Sequence, residues 1–149
     1  MSQTPTYPTR PKYFAHRYCR LLTKTCAAQD LGHVAFCLCV TVAMQEDSKR
    51  YKGPVTYFNE QLLPLIGVRK WDSLDLARKR AAEHGWLHYE SGGRRKPGRY
   101  WVEIPPGLDD LEDSPCDESS SPSNGDNGGS VEESSYPANG DNRNPSSPP

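Results

Sequence analysis

Apolar residues in the first third of the chain recur at helical spacing. Tyr18, Leu21, Leu22 and Cys26 occupy positions i, i+3, i+4 and i+8, which places them on one face of an α-helix and predicts a helix over 13–30 with Gly32 as its stop. From 34 to 44 the chain is apolar nearly all round, as a central helix packed on several sides requires; its valines and cysteines leave a strand as the alternative. A polar loop over 45–53 then carries Lys49, Arg50 and Lys52. Residues 54–57 read as a short extended piece able to pair beside a later hairpin.

The pattern changes twice more. Leu62, Leu63, Leu65 and Ile66 predict a helix capped by Thr56 or Asn59 and broken at Gly67-Val68, with Pro64 making it short or kinked because proline removes a backbone donor. Asp72, with Asp75 three residues on, opens another helix in the manner of a capping box. That helix buries Leu74, Ala77 and Ala81 and leaves Ser73, Leu76 and Lys79 on another face. It ends at His84-Gly85, where glycine supplies the left-handed turn. Residues 86–90 and 99–104 read as two strands, joined by a glycine-rich and therefore mobile loop that holds Arg94, Arg95 and Lys96.

Charge divides the chain where this pattern stops. Residues 1–105 hold 17 Lys plus Arg against 9 Asp plus Glu, and residues 106–149 hold 1 against 10, so the net charge of −1 conceals a basic part and an acidic part. Residues 106–149 are Ser, Pro, Gly, Asn and Asp with few aliphatics. That is too little apolar surface to offset the entropy of ordering, so a disordered acidic tail is predicted. The two Asn-Gly-Asp-Asn sequences in it, at 124–127 and 139–142, lack the alternating oxygens and closing Glu of a calcium loop. Residues 1–11, rich in Pro and Thr, read as a flexible arm, which leaves 12–105 as one domain. A basic domain with an acidic extension fits contact with nucleic acid or a self-masking tail; a merely solvated charged surface is the plainer alternative.

Other chemistry is poorly supplied. The five cysteines are odd in number and form no Cys-x-x-Cys pair, so they read as small buried thiols of a cytoplasmic protein. A zinc site from His16, Cys19, His33 and Cys37 is the alternative, although Cys37 and Cys39 would point to different faces of a helix. No metal or other cofactor is expected. The sequence has no Walker-type glycine loop, no HExxH pair and no Gly-x-Ser-x-Gly elbow, and its four histidines are scattered, so no enzyme activity is expected either. The run at 34–44 is about half the length that spans a bilayer, and the N-terminus has no signal pattern, so a cytoplasmic location without a membrane partner is expected.

Helix, glycine turn, helix and basic hairpin together resemble a winged helix-turn-helix domain, mainly α with a small β-hairpin wing. The resemblance covers 55–104 and rests on Leu65-Ile66-Gly67-Val68 at the family's turn and Gly85-Trp86-Leu87 at its helix-to-strand junction. It implies binding of double-stranded DNA, with the second helix of the pair, about 72–84, in the major groove and the wing, about 91–99, along the backbone or minor groove. Carried over by position, it turns Arg69, Lys70, Ser73, Leu76 and Lys79 toward DNA and puts Arg94, Arg95, Lys96 and Arg99 on the wing. The role implied is that of a small bacterial or phage regulator, or of the DNA-binding part of a replication initiator.

Some residues depart from the family pattern. The turn is one residue longer than usual and brings Trp71 to a place where a small polar residue is common. Asp72 and Asp75, at the head of the presumed recognition helix, repel phosphate unless they accept from a cytosine amino group. A second expectation therefore stands beside the first: a winged helix that contacts a protein partner through Trp71, Asp72 and Asp75, without direct DNA contact. Arg78, Lys79 and Arg80 are about 100° apart on a helix and cannot share one groove, so Arg78 is alternatively read as lying on the core and paired with an acid. Trp86, Tyr100 and Trp101 are read either as packing or as base-stacking aromatics.

Overall fold

The stripe of Tyr18, Leu21 and Leu22 folds as α1 (Phe14–Lys24), with all three side chains fully buried. In the computed structural model, which describes residues 5–111, four α-helices and a three-stranded antiparallel sheet make a mixed α/β arrangement. α1 is shorter than its periodicity predicts. Thr25 ends it, and Cys26 takes a left-handed conformation (φ 52°) before α2 (Ala27–Ser48) begins. Gly32 does not stop the second helix but bends it, with φ 76° and ψ 158°. A β-carbon there would stand 3.2 Å from the Arg80 guanidinium, so glycine both permits the bend and admits a neighbouring helix.

The run at 34–44 is helical throughout and serves as the shared packing element. α2 contacts α1, the fourth helix and two of the strands, and Leu31, Ala35, Leu38, Cys39 and Val42 are buried along it. By length and composition alone this helix could cross a membrane; here its apolar face is the floor of the core. Of the four cysteines among the described residues only Cys39 is buried, its thiol pushed up to about 11 by burial, whereas Cys26 and Cys37 are exposed. No group of three His, Cys, Asp or Glu side chains among the described residues could hold a metal ion.

The extended piece at 54–57 becomes β1 (Val55–Tyr57) and is followed at once by α3 (Asn59–Leu65). Neither Thr56 nor Asn59 caps α3. Phe58 stands at the cap position, and its backbone N–H donates to the Gln61 side-chain carbonyl at 3.0 Å, an arrangement that frees Asn59 for another contact. Pro64 falls in the last turn of this seven-residue helix, and Gly67 (φ 73°) reverses the chain, with the Val68 N–H donating to Leu63 O at 3.0 Å. α4 (Trp71–Glu83) starts ahead of Asp72, from Lys70, whose side chain has no acceptor to cap it. Its C-terminus follows the glycine expectation: Gly85 has φ 75°, and the Trp86 N–H reaches Ala81 O at 2.9 Å.

β2 (Leu87–Glu90) and β3 (Gly98–Val102) form the hairpin, and β1 pairs with the far edge of β3, giving the order β1-β3-β2. The register sets Tyr100 opposite both Tyr89 and Val55, and Gly98 opposite Tyr57. Val55, Leu87, Tyr100 and Val102 close the core over the helices.

The segment 5–11 lays two side chains against this core. The Tyr7 hydroxyl donates to Glu46 Oε1 at 2.8 Å, and Arg10 donates to Val102 O while standing 3.7 Å from Glu46 Oε1. Glu46 is fully buried and accepts from the Val102 N–H at 2.9 Å. Burial raises its pKa, and the Val102, Tyr7 and Arg10 contacts pull it back. At the other end Asp109–Leu111 is a short 3-10 turn whose Leu111 carbonyl accepts from Lys24 Nζ at 3.0 Å. The tail predicted to be disordered spans 106–149: of it, 106–111 are described, with Leu108 packed against the core, and 112–149 lie outside the described residues.

Candidate nucleic-acid interface

Arg69 and Lys70 leave the Gly67 turn with exposed side chains just before α4. On α4 the buried side is formed by Leu74, Ala77, Arg78 and Ala81. At 100° per residue, the stripe opposite that side carries Asp72, Leu76, Lys79 and Glu83. Leu76 is 50% exposed, and Lys79 lies 3.9 Å from Glu83 in a surface ion pair. Ser73 is half-buried and turned aside; with Leu76 and Arg80 it lines a shallow groove against the bend of α2.

The three consecutive cations of α4 meet three environments. Lys79 faces solvent, Arg80 lies beside Gly32, and Arg78 is buried, only 5% exposed. Arg78 Nη1 donates to Asp75 Oδ1 at 2.8 Å, and Nη2 donates to Asn59 Oδ1 and to the Tyr100 hydroxyl. Its guanidinium also lies over the Tyr89 ring, 4.4 Å from the centroid. Burial pushes the Tyr100 hydroxyl up to about 12 even though the charge of Arg78 pulls it down. This arginine is thus structural, and it engages one of the two carboxylates that would repel phosphate at the head of α4.

The wing cations sit on the loop between β2 and β3. Arg94, Arg95 and Lys96 are all exposed, Arg95 in a left-handed conformation (φ 66°) after Gly93 (φ 78°). The loop closes tightly at its base: a β-carbon on Gly92 would stand 2.1 Å from Pro97 O. Arg99, opposite Glu90 in the register, is 3.1 Å from that carboxylate, so its charge is partly neutralised at the foot of the wing. Trp86, Tyr100 and Trp101 are buried and form packing contacts. Trp101 stacks on His88 with ring centroids 4.0 Å apart and donates from Nε1 to Glu103.

Arg78 therefore joins the middle of α4, the start of α3 and the strand that leaves the wing. Sequence reasoning missed Asn59, Tyr89 and Tyr100 as the residues that hold this arrangement. The i,i+3 spacing of Asp75 and Arg78 was the one local signal for it. Trp71 and Leu65 are 52% and 56% exposed, leaving apolar surface on both sides of the Gly67 turn. Comparison with protein-family models, curated proteins and solved structures finds no match, so no relative's role is available to carry over.

Proposed function

We propose that residues 12–105 form a winged helix-turn-helix domain that binds double-stranded DNA. The observation that carries this reading is the wing loop: three adjacent exposed cations, Arg94, Arg95 and Lys96, none in an ion pair among the described residues, on a loop between two strands whose Tyr89 and Tyr100 meet Arg78 of α4. Arg69 and Lys70 add two more exposed charges at the turn. The sheet order supports the reading as well, since β1 pairs beside the hairpin and leads directly into the helix pair.

The outward stripe of α4 shifts the emphasis within that reading. With Asp72, Leu76, Lys79 and Glu83 it offers little to phosphate, so affinity comes chiefly from backbone contacts by the turn and the wing, and any base preference from a small number of α4 side chains. About five phosphate contacts give a log affinity that falls with log salt at a slope of roughly −4 to −5. A gel-shift series with random duplex, single-stranded and genomic fragments at several salt concentrations measures it. Duplex binding with that slope supports the proposal; no duplex binding even at low salt overturns it.

The exposed Trp71, Leu65 and Leu76 favour the second reading, a winged helix that docks on a protein. An apolar contact of that kind responds little to salt, so the same titration separates the two.

A further inference from the structure

A cleft lies toward the other end of the sheet. Gly98, beside the wing, pairs with Tyr57, and Val55 pairs with Tyr100, so the chain before β1 runs away from the wing. There the C-terminus of α2 meets the segment 7–13 around a cleft of about 530 Å³, a volume in the range of small-ligand sites.

Three of the five non-glycine residues with positive φ among the described residues line this one cleft: Tyr13 at 63°, Arg50 at 53° and Tyr51 at 53°. Such residues are costly to hold and concentrate at ligand-binding places. Arg50 is the most telling. The Arg50 N–H donates to Asp47 O at 2.8 Å and the Tyr51 N–H to Glu46 O at 2.9 Å, the helix-ending pattern in which glycine is the favoured residue at the position of Arg50. An arginine at that position presents a charged side chain where the backbone prefers none.

The remaining chemistry of the cleft is specific. Tyr13 is 67% exposed, Lys12 Nζ lies 5.0 Å from its ring centroid, and Pro8 and Pro11 add flat apolar wall. Arg50 and Lys12 are exposed and make no ion pair among the described residues, whereas Arg10 is held by Glu46 and Val102. Asp47 accepts from the Tyr51 hydroxyl at 2.8 Å and keeps further acceptor capacity. Two cations attract a phosphate, aromatic and proline walls take a planar ring, and a carboxylate suits an amino or sugar hydroxyl group while opposing a bare polyanion. We propose that this cleft binds a nucleoside 5′-phosphate, its base between Tyr13 and the proline wall, its phosphate on Arg50 and Lys12, and Asp47 accepting from the sugar or the base.

The test is isothermal titration of the full-length chain with the four common ribonucleoside 5′-monophosphates, with the matching nucleosides and with a 5′-phosphorylated trinucleotide. At least one monophosphate binds at least tenfold more tightly than its nucleoside. Arg50→Gly, which removes the charge and relieves the backbone, weakens that binding at least tenfold without lowering the melting temperature. Tighter binding of the trinucleotide than of the monophosphate assigns the site to a strand end, and weaker binding assigns it to a free nucleotide. No binding of any monophosphate at millimolar concentration, nucleoside binding equal to nucleotide binding, or an Arg50→Gly chain that binds as tightly as its parent overturns the proposal. Because the cleft is remote from the wing, these outcomes are independent of the duplex titration.

Discussion

Arg78 in α4 donates a hydrogen bond to the Tyr100 hydroxyl in β3, and both side chains are buried. The bond ties α4 to β3, the strand that follows the basic loop. Replacing Arg78 with Ala leaves the Tyr100 hydroxyl and the Asn59 carbonyl without their donor and opens a void under Tyr89. We expect a loss of about 2–4 kcal/mol in urea unfolding, with Asp75 adding little because it is largely exposed. Arg78→Lys recovers less than half, because an ammonium cannot reproduce the planar fork. Full stability of Arg78→Ala would show that the network contributes nothing.

On the proposed DNA-binding reading, the loop cations Arg94, Arg95 and Lys96 should supply affinity more than specificity. Changing Arg94, Arg95 and Lys96 together to Ala leaves the melting temperature within a degree or two, weakens binding to all duplexes about equally and flattens the salt slope by up to about 3 units. Duplex affinity unchanged by the triple substitution would remove the wing from the interface.

The wing also requires its glycine hinge. A β-carbon at Gly92 would collide with Pro97 O at 2.1 Å and Lys96 O at 2.8 Å, so Gly92→Ala forces the loop open at its base. Destabilisation of about 1–3 kcal/mol is expected, together with weaker duplex binding although every cation is retained. Amide chemical shifts confined to 89–99 would locate the change; shifts spread through the helices would contradict a local hinge.

Burial raises the pKa of Glu46 above its ordinary 4.5, so the folded chain holds this proton more tightly than the unfolded chain. The contribution to stability is therefore most favourable below pH 4.5 and is lost as pH rises through the raised value. Glu46→Gln cannot ionise and removes that fall. Chemical denaturation of both proteins from pH 4 to pH 7 should show the parent-minus-variant difference declining as pH increases. A difference constant across that range would mean that Glu46 titrates as an exposed carboxyl does.

Residues 112–149 carry eight carboxylates against the single Arg143. If they mask the proposed DNA-binding surface, their competition with phosphate is expected to be worth about 0.5–1.5 kcal/mol at low salt. Deleting 112–149 tests this, and the cut is placed at 112 because the Leu111 carbonyl bonds to Lys24 and Leu108 packs on the core. It should tighten duplex binding several-fold at low salt, with the gap closing as salt rises. Equal binding at all salt concentrations would leave the tail without a masking role.

The features legible in the sequence were those enforced by neighbours in the chain. The i, i+3, i+4 stripe gave α1, Gly85 gave the end of α4, and the two apolar runs around a glycine-rich loop gave the hairpin. Features set across the fold were hidden. Gly32 reads as a stop, but its left-handed φ bends the helix, and the absence of a β-carbon leaves room for Arg80 of α4. Asn59 reads as a cap, but Phe58 stands at that position with its N–H donating to the Gln61 side chain, and Asn59 serves Arg78, 19 residues away. The exposure of Arg94, Arg95 and Lys96 was legible because a glycine-rich loop between two strands offers them nothing to pack against. The cleft was not, because its residues come from 7–13 and 47–51 and meet only after α1 and α2 have packed.

Glu46 receives the Tyr7 hydroxyl from the segment ahead of α1 and the Val102 amide from the end of β3. On the ribosome these partners emerge far apart in time. Until β3 has been synthesised, Glu46 lacks its backbone donor, and closing the core over an ionised carboxylate without that donor is costly. The helices can form as they appear, but they cannot seal. A chain cut short before Val102 therefore lacks both the closing residue of β3 and the donor that Glu46 needs, and is expected to be cleaved by proteases faster than the full chain.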